Sequence, residues 1–308
     1  MDVGRYAPSP TGDLHLGNAR TALLAWLWAR HAGGRFLLRF EDLDRGRVRD
    51  GCARQQAESL AWLGLDWDGE PVSQSARGDL YDDAIATLRA RGVLYECFCS
   101  RADVRRAASA PHGPDGPIYG GTCRDLSARE LAERRALGRV PALRVRMEGD
   151  VAFTDDVAGP QRETLERTSG DIVVQRSDGV VAYQLAVVVD DSDQAVTHIV
   201  RGADLLASTG RQLRLAELLG LAHAPRHAHV PLLLGDDGER LAKRHGAVGL
   251  TELRADGADP RAIAGWLAAS AGLLERPSAC SPADLLPGFD PAAIPREPTR
   301  IQASALRW

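Results

Sequence analysis

Lysine is almost absent from this chain: of 38 Lys plus Arg residues, only Lys243 is a lysine. An ammonium and a guanidinium differ in geometry and hydration, so the one place where arginine does not stand calls for a reason. Cysteines number five, and two of them sit one residue apart in Cys97-Phe98-Cys99. That spacing pairs poorly, and the compartment is expected to be reducing, so a framework of disulfides is not expected. No apolar run reaches the ~18 residues of a membrane span. Met1-Asp2-Val3-Gly4-Arg5 lacks the basic start and apolar stretch of a secretion signal, so a cytoplasmic protein with no membrane partner is expected. Net charge is −4, which gives no global attraction to nucleic acid, and any RNA contact has to come from local patches. Internal repeats and low-complexity tracts are also absent.

What is present is a globular composition, 44% hydrophobic and 26% charged, in 308 residues. That length exceeds one usual core, so an α/β domain with an insertion or a small appended domain is expected. The chain opens on a short apolar run, Val3 to Ala7, broken by Pro8, Pro10 and Gly12. The spacing Leu16, Ala19, Leu23, Trp26, Leu27 then predicts an amphipathic helix. Strand, rigid turn and helix in that order aim unpaired helix N–H groups at the carboxyl end of a strand, where α/β sheets receive anions. His15 and Asn18 can donate to phosphate oxygens there, and Gly17, with no Cβ, leaves room for a flat ligand. A well-capped helix after a Pro-rich loop is the plainer alternative.

The run Arg5-Tyr6-Ala7-Pro8-Ser9-Pro10-Thr11-Gly12, followed by His15-Leu16-Gly17-Asn18, resembles the amino-terminal signature of glutamyl-type class I aminoacyl-tRNA synthetases. In that family the His-x-Gly-x motif holds ATP, which implies an ATP contact at His15, Gly17 and Asn18, with His15 and Asn18 taking part in catalysis. The resemblance covers roughly residues 4–250. It implies a Rossmann-like parallel-sheet catalytic domain, residues 1–96 and 171–249, split by an α+β zinc-binding insertion, residues 97–170. Residues 250–308 form a short helical and Pro-rich extension in this reading, with no anticodon-binding domain.

Arg35 to Phe40 is an apolar run leading into Glu41-Asp42-Leu43-Asp44, so a buried strand ending in carboxylates beside the first strand is expected. Helices are expected at about Val48–Leu63, Asp79–Arg91 and Ser208–Leu219. The βα rhythm, interrupted after Cys97, resumes with the runs Asp171–Gln175, Ala182–Asp191 and Thr197–Arg201. Two short helical patterns, Leu250–Arg254 and Pro260–Leu274, precede a tail whose prolines forbid long regular elements, so it is expected to be extended, either packed or mobile.

Three thiols, Cys97, Cys99 and Cys123, with a fourth donor make a closed tetrahedral metal site, or are ordinary buried cysteines. By resemblance to the glutamyl-queuosine members of the family, Tyr119 completes a structural zinc site. Arg240 to Arg244 resembles the second class I signature, Lys-Met-Ser-Lys-Ser, with Arg240 at the first lysine, Ala242 at the serine and Lys243 at the second lysine. This implies ATP contacts at Arg240, Leu241 and Lys243, with Lys243 stabilising charge on the triphosphate and magnesium accompanying the nucleotide. A glutamate pocket needs at least two cations or strong donors and one anion. The resemblance assigns Arg5 and Tyr183 to the side-chain carboxylate, Glu41 and Ser9 to the ammonium, and Arg201 to a carboxylate, with Ala7 in the same pocket.

The expected reaction is formation of glutamyl-adenylate and transfer of glutamate to RNA, by a monomer. The lack of a helical anticodon-binding portion, and of an acidic-His pair after Arg201-Gly202, resembles the glutamyl-queuosine branch, which places glutamate on the modified wobble base of tRNA(Asp) and so takes the anticodon loop as partner. Lys243-Arg244-His245-Gly246 is closer to ordinary glutamyl enzymes. A truncated glutamyl-tRNA synthetase charging the 3′ end and a catalytically idle tRNA-binding paralogue are the rivals. The densest basic stretch, Arg129, Arg134, Arg135, Arg139, Arg144 and Arg146, is either a phosphate-contacting surface or a solvated, salt-linked helix face.

Overall fold

The computed structural model describes residues 1–107, 118–222, 224–235, 237–239, 241 and 249–301. Its strands are β1 (Val3–Tyr6), β2 (Arg35–Phe40), β3 (Val72–Ser73), β4 (Leu94–Cys97), β5 (Ala142–Val145), β6 (Asp150–Asp155), β7 (Gly159–Thr164), β8 (Ile172–Gln175), β9 (His198–Gly202), β10 (Arg226–Val230), β11 (Leu233–Leu234) and β12 (Thr299–Arg300). Seven of them form one sheet in the order β3-β2-β1-β9-β10-β6-β7, parallel except at the β6–β7 hairpin. The chain leaves β1 for β2 on one side and returns on the other side as β9. The carboxyl ends of β1 and β9 therefore flank a switch in strand order, the place where such sheets open a crevice.

Helix α1 (Leu16–His31) connects β1 to β2 and is buried along nearly its whole length, from Leu16 through Ala29. This departs from the expected amphipathic pattern. A helix that is apolar all round belongs in the middle of a core, and α1 is covered by the sheet on one side and by the helix Pro260–Ser270 on the other. Its approach to β1 is close: a Cβ at Gly4 would lie 2.9 Å from the Cβ of Ala29, so only glycine fits at that strand position.

The Ala182–Asp191 run becomes a helix, Tyr183–Asp193, between β8 and β9. The 97–170 stretch divides between two sheets. Its strand β5 pairs antiparallel with β4 and β8 in a separate three-stranded sheet, whereas β6 and β7 extend the main sheet through His227↔Asp155. The described part of the Pro-rich tail is packed, with the short helix Pro282–Leu285 and with Phe289, Ile294 and Ile301 buried in the main core. It ends by laying β12 parallel to β11. Among the described residues no helix is long and apolar enough to cross a membrane.

A candidate active-site crevice

The crevice at the carboxyl ends of β1, β2, β9 and β10 encloses about 920 Å³, enough for two small substrates together. Residues expected from separate parts of the chain converge on it: Arg5 on β1, Ala7 and Ser9 after it, Glu41 after β2, Tyr183 at its helix start and Arg201 on β9. His15, Gly17, Asn18 and Leu241 line it too. Arg240, Ala242 and Lys243 fall outside the described residues. What flanks Lys243 is nonetheless anchored at the crevice. The Leu241 N–H donates to the Leu233 carbonyl at 2.9 Å, the Leu250 N–H donates to the Leu14 carbonyl at 2.8 Å, and Gly249 bridges to His15.

The turn after β1 is held from below by the Gln56 amide, which donates to the carbonyls of Ser9 at 3.2 Å and Gly12 at 2.7 Å. The entry to α1 differs from the expectation of unpaired N–H groups. His15 is the N-cap, and its Nδ1 accepts from the N–H groups of Gly17 at 3.2 Å and Asn18 at 3.4 Å. With Nδ1 used as an acceptor, the neutral ring carries its proton on Nε2. A Cβ at Gly17 would sit 3.1 Å from the His15 ring, so this glycine also makes room for the cap.

Below the crevice lies a charge cluster of which the sequence reading found only part. Arg5 grips Asp191 with two bonds, Nε to Oδ1 at 3.1 Å and Nη2 to Oδ2 at 3.2 Å. Arg39, fully buried, donates to Asp191 at 2.8 Å and to Gln194 at 2.7 Å, and reaches Glu41 at 3.5 Å. Asp190 receives Gln74 at 2.8 Å, Arg77 at 2.7 Å and Tyr81 at 2.9 Å. Burial acts to raise the Asp191 carboxyl, but Arg39 and Arg5 outweigh it and hold the group well below the carboxylate range. Burial pushes Glu41 the other way, up, and there it prevails over Arg39 and Arg5. A cation placed beside Glu41 would favour its charged form. Arg5, expected to face a ligand carboxylate, thus spends Nε and Nη2 on Asp191; its Nη1 is 3.4 Å from the Val200 carbonyl.

Arg39, Asp190 and Asp191 left a signal that went unused. An arginine inside the apolar strand Arg35–Phe40, and adjacent aspartates closing the apolar run Ala186–Val189, are charges that burial tolerates only in pairs. Arg201 is buried with Nε and Nη2 bonded, and its Nη1 has no partner among the described residues. Burial pushes the Tyr183 phenol up.

Arg20 is a second surprise. It lines the crevice from α1, is 1% exposed, and none of its three guanidinium nitrogens has a hydrogen-bond partner among the described residues. Burial pushes its pKa down to about 10, so it stays charged at neutral pH. A buried donor left unmade costs about 1–3 kcal/mol. Arg20→Met, which keeps the stem and removes the charge, is therefore expected to raise the melting temperature of the ligand-free protein by about 2–6 °C. Calorimetry checks this, and an unchanged or lowered melting temperature contradicts it.

Away from the crevice, the sulfurs of Cys97, Cys99 and Cys123 lie within 4.8 Å of one another. Cys99 Sγ is 3.6 Å from Cys123 Sγ, and the Tyr119 hydroxyl is 3.5 Å from Cys97 Sγ and 3.9 Å from Cys99 Sγ. Tetrahedral bonds of about 2.3 Å to sulfur and about 2.0 Å to oxygen give edges of roughly 3.5–3.8 Å, so this donor set fits a zinc-sized cation. Burial pushes the Cys99 thiol up to about 12, a penalty that a bound cation reverses. None of the four residues lines the crevice.

The basic stretch is largely tied within the protein. Arg129 pairs with Glu133 at 2.9 Å, Arg135 with Glu96 at 2.7 Å and Arg146 with Asp125 at 2.8 Å, while Arg144 lies over the Tyr119 ring at 3.9 Å.

Residues 3–270 match the family model described as tRNA synthetases class I (E and Q), catalytic domain. The chain is 54% identical over 317 residues to the Glutamyl-Q tRNA(Asp) synthetase of Symbiobacterium thermophilum, covering 99% of this chain and 98% of that one. It is 55% identical over 297 residues to the protein of the same name from Nocardia farcinica, covering 96% and 92%. Among solved structures, a glutamate tRNA ligase from Elizabethkingia meningosepticum in complex with its amino acid is similar with a TM-score of 0.84 and 26% identity, over 98% of this chain and 67% of that chain.

Proposed function

Because the chain belongs to the class I (E and Q) tRNA synthetase family and is thus a ligase of the aminoacyl-tRNA synthetase type, we propose that it activates L-glutamate with ATP and transfers it to queuosine at the wobble position of tRNA(Asp). In the first step a glutamate α-carboxylate oxygen attacks the α-phosphorus of ATP. The bond to the leaving oxygen breaks and pyrophosphate departs. In the second, a hydroxyl of the queuosine ring attacks the glutamyl carbonyl, loses its proton and displaces AMP.

The crevice supplies groups for both. Arg201 Nη1, buried and without an acceptor among the described residues, receives a glutamate carboxylate with Tyr183, and Arg5 adds its charge from beneath. Glu41 and Ser9 take the ammonium, with Ala7 in the same wall. The His15 Nε2–H, Asn18, Gly17, Arg240, Leu241 and Lys243 address the nucleotide. Magnesium accompanies ATP and neutralises its phosphate charge. The enzyme acts as a cytoplasmic monomer.

The acceptor is supported by one observation above the rest: likeness to proteins named Glutamyl-Q tRNA(Asp) synthetase over 98% of the length of one and 92% of another. The structural likeness to a glutamate tRNA ligase favours a second reading, with the terminal ribose of tRNA as acceptor. Digesting tRNA charged with labelled glutamate to nucleosides separates them: label on queuosine supports the first, and label on the terminal adenosine replaces it with the second.

Cys97, Cys99, Tyr119 and Cys123 hold a structural zinc in this reading, fastening β4 to the loop that carries Tyr119 and Cys123. Protein purified without added metal is expected to contain about one equivalent of zinc, and chelation to loosen this region before the crevice. Elemental analysis giving less than ~0.1 equivalent with the fold intact rejects the site.

A further inference from the structure

Arg201 is fixed by a chain of hydrogen bonds in which each partner determines the protonation of the next. Its Nε–H donates to His229 Nε2 at 2.9 Å, and its Nη2 donates to Thr209 Oγ1 at 3.0 Å and to the Leu205 carbonyl at 3.4 Å. His229 stands on β10, directly across from Arg201 in the β9–β10 register. Its Nδ1 lies 2.6 Å from Asp155 Oδ2 at the end of β6. Asp155 Oδ1 accepts from the backbone N–H groups of Ala158 at 2.8 Å, Val157 at 3.0 Å and His229 at 3.1 Å.

Burial favours a neutral Asp155, but hydrogen bonds from His229 and from the Ala158 N–H overcome it and bring the carboxyl to about 2, so it is ionised and can only accept. His229 must then carry its proton on Nδ1. Burial keeps the ring neutral, which leaves a lone pair on Nε2. That lone pair is the acceptor Arg201 Nε–H requires; a proton at Nε2 would set two donors against each other. With Nε and Nη2 committed to protein atoms, and no partner for Nη1 among the described residues, Nη1 is left to the crevice.

We infer that Asp155 and His229 are positioning residues for glutamate recognition, holding Arg201 so that its Nη1 meets a substrate carboxylate at one fixed place. The inference rests on the reading of the crevice as a glutamate site. It predicts that loss of the His229 acceptor weakens glutamate and spares ATP, because Arg201 gains freedom to swing while the nucleotide groups of α1 are untouched. A merely structural role for a buried histidine lowers stability and both affinities together.

The test uses the full chain in glutamate-dependent ATP–pyrophosphate exchange, with KM for each substrate, kcat and the melting temperature measured for His229→Leu, His229→Gln and Thr209→Val. A glutamine can turn its carbonyl oxygen to Arg201 and its NH2 to Asp155, whereas leucine offers neither. His229→Leu is expected to raise KM for glutamate on the order of 10-fold or more, about 1.4 kcal/mol, with KM for ATP changed less than about 2-fold. His229→Gln is expected to recover most of that loss, and Thr209→Val, which removes one acceptor of Nη2, to raise KM for glutamate by about 3-fold. If His229→Leu does not fold, the glutamine and valine variants decide alone. Equal rises in both KM values, or a glutamine variant no better than a folded leucine variant, overturn the positioning role. A wild-type chain with no glutamate-dependent exchange overturns the reading of the crevice itself, and the two failures are distinguishable.

Discussion

Lys243→Ala is expected to lower glutamate-dependent ATP–pyrophosphate exchange by a factor on the order of 100 to 1,000, the usual cost of removing one group that stabilises charge in a transition state. Breaking the bond between the α-phosphorus and the leaving oxygen throws negative charge onto pyrophosphate, and a cation that meets it there lowers the barrier. Composition provides the first argument: a chain with one lysine among 38 basic residues keeps it here. Geometry provides the second. The described residues on either side, Leu241 and Gly249, both line the crevice, and Thr251 just beyond is bound to Asp13 by two bonds, at 3.0 Å and 2.9 Å. The cost should fall on kcat more than on KM for glutamate, because the charge appears only as the bond breaks. Lys243→Arg should also be impaired, since a planar fork does not replace a compact ammonium. Undiminished exchange in Lys243→Ala removes the residue from the mechanism.

The crevice was legible from the sequence to the degree that local pattern encodes it. Two prolines and a glycine between an apolar run and a 3.6-residue spacing mark a strand, a turn and a helix, and β1, the turn and α1 lie there. An apolar run ending in Glu41 places that carboxylate at the same edge. What escaped is what depends on partners distant in the chain. Asp191 serves Arg5 and Arg39, separated from it by 186 and 152 positions, and nothing in the spacing around Val187-Val188-Val189 names those partners. His229 and Asp155 were missed for the same reason: one is a strand residue among apolar neighbours, the other an ordinary-looking carboxylate before a turn, and only the pairing of β6 with β10 brings them together. The His15 cap shows a different limit. Its residue type fits both a phosphate donor and a helix cap, and only the ring orientation shows that Nδ1 is used inward.

Glutamate is expected to pass to tRNA(Asp) bearing queuosine at the wobble position, and neither to the same tRNA bearing guanosine there nor to tRNA(Glu). An activated glutamyl carbonyl needs a hydroxyl nucleophile, and the cyclopentene diol of queuosine supplies one on a base where guanosine has none. Single-stranded loops, with their bases splayed out, are also where proteins read RNA most directly. A crevice of about 920 Å³ accepts one such base beside the adenylate more readily than a paired duplex. Periodate cannot serve as the control, because it oxidises both the queuosine diol and the terminal ribose. The decisive substrate is tRNA(Asp) with queuosine in its anticodon and a 2′,3′-dideoxy terminus, which leaves the loop as the site of transfer. Labelling of that substrate is expected to equal labelling of the unmodified-end tRNA. Its loss would place glutamate on the 3′ end and make the chain an ordinary tRNA-charging ligase, with the Arg201 pocket serving the same amino acid and a different hydroxyl.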